Sequence, residues 1–211
     1  MSIFTNLIAK IFTGTKENMV PVVVDDHVQL RQEKGSVGEV NVDASLAYLN
    51  HDEYKIISNG LFKLREGVTV QIDHIVVSRA GIFVIETKNY GGIIVSDNDR
   101  WQQIWHAKRF SFYSPKKQNE SHIKSLMYIL FTKRRDLFHS VVVFPENADL
   151  HIDNTTGVVK NNGLCRYIMK HQRHLMSHDE MQRLYNQLVA KNIYTPENAR
   201  LHRERVRELY G

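Results

Sequence analysis

Cysteine is almost absent from this chain of 211 residues, where Cys165 stands alone. That excludes an intrachain disulfide framework and a cysteine-rich zinc module, and it fits a reducing, cytoplasmic setting. Long hydrophobic runs are absent too. No stretch reaches the roughly 20 apolar residues of a membrane-spanning helix, so no membrane span is expected. The N-terminal MSIFTNLIAKIF is too short to span and lacks a small-residue cleavage site, which makes it a poor signal peptide. Its Ile3, Phe4, Leu7, Ile8, Ile11 and Phe12 fall at helical spacing and read as a short amphipathic helix packed on the body. A P-loop of the Gly-x4-Gly-Lys-Ser/Thr type is missing, which excludes a fused nucleotide-driven motor. Excess charge of one sign is small: +5 permits an anionic partner without demanding one.

What is present divides into three parts. Residues 1–34 hold the amphipathic segment and a polar connector. Residues 35–148 carry a helix over 37–50, with Val42, Leu46 and Leu49 on one face, and a strand over 54–61. A turn over 63–67 follows, then two hairpin strands over 68–78 and 82–88, and a further strand at IIVS (93–96). RWQQIWHAKRFSFYS reads as a second, aromatic-rich hairpin. Ser114 suits an N-cap and Pro115 a first helical position, opening a helix with Ile123, Leu126, Met127 and Leu130 as its stripe. SVVVF (140–144) has the composition of a strand buried on both faces. The fold class is α/β, a mixed central sheet flanked by helices. Residues 149–211 form a mostly helical extension, with a capping box at Ser177 and Glu180 and a second helix opening at Thr195-Pro196.

The chemistry concentrates in QIDHIVVSRAGIFVIETKNYGG, residues 71–92. Its two apolar runs carry Asp73, His74, Glu86 and Lys88 in their interiors, where ionisable groups need a partner or a metal. With Arg79-Ala80 as a two-residue loop, Asp73 stands opposite Glu86 with Cβ atoms about 4.5–5.5 Å apart. Lys88 then shares their face opposite Gln71. A three-residue loop with Gly81 in a left-handed bulge is the competing register, and it turns Asp73 away from Glu86. Opposed carboxylates repel, and a cation between them relieves the repulsion. Carboxylate oxygens with water are what Mg²⁺ or Mn²⁺ prefers. Lysine cannot be a ligand there, but it can orient a water or stabilise charge on a phosphate.

QIDHIVV followed by GIFVIETKNYGG resembles the NERD (nuclease-related) domain, and the likeness extends from Gly38-Glu39 through PKKQNESHI to SVVVF. The resemblance implies a restriction-endonuclease-like core of the PD-(D/E)xK superfamily and a Mg²⁺- or Mn²⁺-dependent nuclease acting on DNA. Carried over, Asp73 and Glu86 are the metal-binding acids, joined by the Thr87 carbonyl. Lys88 is the catalytic lysine, Glu39 the acid of the first helix, and Gln118 the glutamine of the later helix. Ile72 stands where the superfamily has proline, and Ser114-Pro115 where the family has Asn-Pro; neither removes a reactive group. The alternative function is a non-catalytic nucleic-acid or protein binding module that keeps the fold.

Several residues have two readings. Glu39 completes a capping box with Ser36, yet its angular position beside Val42, Leu46 and Leu49 points it at the sheet. Gln118 and His122 are one helical turn apart. With Lys116, Lys117 and Lys124, His122 is a candidate nucleic-acid contact. His74 faces away from Asp73 and reads as structural. Trp101, Trp105, Phe110 and Phe112 read as hairpin packing, and Lys133-Arg134-Arg135 as a solvated face or a phosphate contact. The charged last helix, with Arg200, Arg203, Arg205 and Arg207, is expected to position the nuclease or assemble it as a homo-oligomer without carrying chemistry.

Overall fold

The computed structural model describes residues 38–39, 41–96, 100–106 and 108–210. The N-terminal amphipathic segment and Ser36 of the capping box lie outside the described residues. Residues 38–39 and 41–46 are helical (α1), and 47–49 form a turn, so the helix ends short of the expected residue 50. Three antiparallel strands follow: β1 (Tyr54–Arg65), β2 (Val68–Ser78) and β3 (Gly81–Thr87). β4 (Gly92–Val95), β5 (Arg100–Trp105) and β6 (Lys108–Tyr113) come next, then helix α2 (Pro115–Ile129) and β7 (Phe138–Phe144). β8 (Ala148–His151), β9 (Val158–Lys160), α3 (Leu164–Met169), α4 (His178–Lys191) and α5 (Pro196–Tyr210) complete the order.

There are two sheets rather than one. The main sheet is mixed and runs β1-β2-β3-β7-β9, with β7 parallel to β3. A smaller sheet, β6-β5-β4-β8, holds the aromatic hairpin. There Trp101 is buried and stacks on Phe144 with ring centroids 6.1 Å apart, while Trp105 is largely exposed. The expected turn at 63–67 shrinks to Glu66-Gly67. The reason is alternation: Phe62 and Leu64 bury inward while Lys63 and Arg65 face water, which keeps the chain in the strand to Arg65.

The β2–β3 ladder settles the loop. Ser78 pairs with Gly81, Val77 with Ile82 and His74 with Ile85, so Arg79-Ala80 is the two-residue loop. Gly81 is required at the pair closing it: its φ is +133°, and a Cβ there would meet the Leu137 carbonyl oxygen at 2.6 Å.

Because side chains alternate along a strand, the sheet has two apolar faces. Ile75, Val77, Ile82 and Val84 pack against Ile123, Leu126 and Ile129 of α2, and against Met181, Leu184 and Leu188 of α4. Val76, Phe83, Ile85, Val141 and Val143 pack against Val42, Leu46 and Leu49, and against Leu164 and Ile168 of α3. Residues from the C-terminal extension therefore belong to the core of the main sheet.

Ser114 caps α2, accepting from the Lys117 amide, and Pro115 opens it. Asn119, fully buried one turn in, docks the helix. Its Nδ2 donates to the Val84 carbonyl (2.7 Å), the Val141 carbonyl (3.1 Å) and Ser140 Oγ (3.1 Å), which ties α2 to both parallel strands. Asn119→Leu should cost about 1–3 kcal/mol, since it strips donors from buried carbonyls. Urea unfolding should show a lower midpoint at unchanged slope; an unchanged midpoint would deny the bond this role.

Candidate active site

The face that packs on α2 is apolar at one end and ionisable at the other. Beyond the last ladder pair, His74 and Ile85, the next positions are Asp73 and Glu86. There the Asp73 side chain replaces the strand pairing: its Oδ2 accepts the Thr87 N–H at 2.8 Å. Glu86 is 3% exposed. Its Oε1 meets Lys88 Nζ at 2.6 Å, and Nζ also donates to Gln118 Oε1 at 3.0 Å. Thus α2, fixed by Asn119, holds through Gln118 the lysine that β3 presents.

Glu39 enters from α1, which packs on the other face and touches the sheet at the end of β3. Gly38 makes that approach possible, as a Cβ there would come within 2.9 Å of Asn89 Cβ. Glu39 feels the charges of Glu86 and Lys88.

The electrostatics are those of too many acids in one place. Burial first, then Glu86 and Glu39, holds the Asp73 carboxyl well above the usual carboxylate range, against the Thr87 N–H and Lys88. Burial first, then Glu86 and Asp43, raises Glu39. Burial pulls Lys88 down, but Glu86, with Tyr90 and Asp73, outweighs it and holds the ammonium charged beyond its ordinary range. Burial pushes His122 down and Lys88 adds to this, against Glu86, so its imidazole is neutral. The 3.4 Å approach of His122 Nδ1 to Glu86 Oε2 is therefore not an ion pair, and neither atom has a hydrogen bond.

Among the described residues no three His, Cys, Asp or Glu side chains form a ready metal-binding group. The donor set nevertheless fits a hard divalent cation. One oxygen of buried Glu86 has no hydrogen bond, and Asp73 is crowded by like charge. The Thr87 carbonyl opens toward the same side as its N–H, the side Asp73 occupies, since both groups of one strand residue point the same way. Two carboxylates and a carbonyl, with water, are the ligands Mg²⁺ or Mn²⁺ takes.

The other residues singled out from the sequence fall elsewhere. His122 is buried against Glu86 rather than facing solvent with Lys124. Lys116 donates to the Asn154 carbonyl at 2.7 Å, and Lys117 is exposed. Arg134 pairs with Asp136, and Arg135 with Glu120 at 2.6 Å, so this basic cluster is largely neutralised within the chain. His74 Nε2 lies 3.0 Å from Asp43 Oδ1, on the opposite side of β2 from Asp73. Sequence reasoning missed Asn119, although a polar residue inside the apolar stripe beside Gln118 was a usable signal.

The model of the nuclease-related domain, NERD, matches residues 34–145, slightly more than half of the chain. An uncharacterized protein of Bacillus anthracis is 31% identical over 186 residues, covering 85% of this chain and 86% of its own length. No solved structure matches. The α/β architecture, with a mixed sheet between helices, is compatible with the restriction-endonuclease-like superfamily. The match therefore takes in every strand that builds the acid site, together with Glu39 and Gln118, and the chain belongs to the nuclease-related domain family.

Proposed function

We propose that this chain is a Mg²⁺- or Mn²⁺-dependent nuclease that hydrolyses phosphodiester bonds of DNA. The observation that carries the reading is the buried Glu86 carboxylate, bonded by Lys88 on one oxygen and unsatisfied on the other, beside the crowded Asp73. A binding module gains nothing from such an arrangement, because buried acids in mutual repulsion cost stability unless their charge is used. Asp73, Glu86 and the Thr87 carbonyl would hold the cation, which when bound neutralises charge on the phosphoryl oxygens and makes water more acidic.

The remaining chemistry belongs to side chains. Lys88 is charged before reaction, so it acts as a donor that orients the attacking water and stabilises the pentavalent phosphate, rather than as the base. Gln118 fixes the position of that ammonium. Glu39, raised by burial and by Glu86, is the proton acceptor in this reading.

The test is cleavage of plasmid and linear DNA in Mg²⁺ or Mn²⁺, with EDTA and Asp73→Asn as controls. Cation-dependent cleavage should fall roughly a thousandfold or more in the variant, as loss of several kcal/mol of charge stabilisation requires. DNA binding without cleavage in either cation would favour the binding module instead.

A further inference from the structure

The C-terminal helix α5 lies outside the family match, yet it is docked on the acid-bearing face. Just before it, the Leu61 N–H donates to Asn192 Oδ1 (2.9 Å) and the Ile193 N–H donates to the Leu61 carbonyl (2.8 Å). Within it, Ala199 is buried, His202 Nδ1 lies 2.7 Å from Thr69 Oγ1, and the Arg205 guanidinium covers Gly67, where a Cβ would meet it at 2.8 Å.

These contacts fix the rotation of the helix. At about 100° per residue, Arg205, His202, Ala199 and Arg203 succeed one another around its circumference. Arg205 rests over Gly67 and His202 over Thr69. Continuing the same way, Arg203 is exposed on the flank of α5 opposite Arg205, and along β2 the row of Thr69 continues away from Gly67 to Gln71 and Asp73. Electrostatics agree with this placement. Glu39, raised chiefly by burial, is drawn back by the Arg203 guanidinium. His202, pushed down by burial and then by Arg203, also feels His122, the residue against Glu86. Arg200, by contrast, is clamped by Glu197 and Glu204 at 2.7 and 2.6 Å.

We propose that Arg203 is a positioning residue of the acid site, holding a phosphate of the incoming nucleic-acid strand beside Asp73 and Glu39. The proposal rests on the nuclease reading and gives it a wall. A polyanion approaching Glu39, Asp73 and Glu86 meets repulsion, and Lys88 is already engaged by Glu86. A guanidinium on the facing helix offsets that repulsion and matches phosphate geometry in a bidentate way. The strand enters between α5 and α2.

The test uses the full chain with Arg203→Gln and Arg203→Lys, and Arg183→Gln on the outer side of α4 as control. Binding of a labelled DNA oligonucleotide is followed by anisotropy in EDTA across a salt series, and turnover is followed in Mg²⁺ or Mn²⁺. Arg203→Gln should weaken binding about five- to tenfold and lower the salt slope by about one phosphate contact. KM should rise with kcat little changed, Arg203→Lys should recover part of the loss, and the melting temperature should match wild type. A DNA-binding, DNA-cleaving protein whose Arg203→Gln variant keeps its salt slope and KM overturns the proposal and leaves the nuclease reading intact. An Arg203-dependent slope without cleavage in either cation supports the phosphate contact and overturns the nuclease reading. A wild-type chain that binds no oligonucleotide overturns both.

Discussion

Lys88→Met should cost the protein about 3–5 kcal/mol of stability at neutral pH in EDTA. The substitution keeps an unbranched apolar stem and removes the ammonium. What remains is Glu86, almost wholly enclosed, with neither oxygen compensated: Oε1 loses its 2.6 Å partner and Oε2 has none already. His122 offers no replacement, because burial keeps it neutral. Two further measurements separate this account from simple damage to packing. Mn²⁺ should return a large part of the loss, since a cation between the acids does electrostatically what the ammonium did. The double variant Lys88→Met/Glu86→Gln should regain most of the stability without any metal, because the uncompensated charge is gone. Denaturant unfolding of the three proteins with and without Mn²⁺ gives the answer, and a single variant as stable as wild type in EDTA contradicts it. Cleavage should be lost in both variants.

Asp73→Asn should behave in the opposite sense, stabilising the metal-free protein at neutral pH by about 0.5–2 kcal/mol while abolishing cleavage. Asparagine keeps a side-chain oxygen to accept the Thr87 N–H, and it removes the charge that Glu86 and Glu39 oppose. The dependence on pH follows from linkage. The folded carboxyl has a raised pKa, so between the unfolded value, near 3.8, and the higher folded value the native state binds the extra proton. Wild-type stability in EDTA therefore falls as pH rises through that window, and this contribution is fully present only below it. The variant has no such proton to lose, so its curve should be flatter, with the gap between the two proteins widening toward neutral pH. Melting temperatures from pH 4 to 8 decide the matter: parallel curves would mean that Asp73 is not under strain. Removal of a costly charge at the price of function is the pattern expected of an active-site acid.

The hairpin was legible in the sequence because its determinants are local. A two-residue loop and strict alternation bring Asp73, Glu86 and Lys88 to one face, and the ladder from Ser78–Gly81 to His74–Ile85 has that register. The start of α2 was legible for the same reason, as Ser114 and Pro115 sit at its boundary. Long-range placement was not. The burial of His122 had a local signal, since it stands one turn before Leu126 of the apolar stripe, but its approach to Glu86 had none, and nothing in the composition of residues 92–113 and 148–151 separates them into a second sheet. The strands β8 and β9 are too short to carry a period. The docking of α5 depends on Leu61 and Thr69, more than 130 residues before their partners Asn192 and His202 in the chain. Gln118 owed its reading to a family resemblance, since spacing alone gives no reason for its 3.0 Å contact with Lys88.

Because α4 covers the same face of the main sheet as α2, the order of synthesis matters. A ribosome has completed every strand of the acid site well before Met181, Leu184 and Leu188 emerge to cover Ile75, Val77, Ile82 and Val84. At roughly 5–20 residues per second, a nascent chain spends several seconds with that surface open and α5 not yet made. A site built this way gains the cover of α4 and the docked α5 only after all of its own strands have been made.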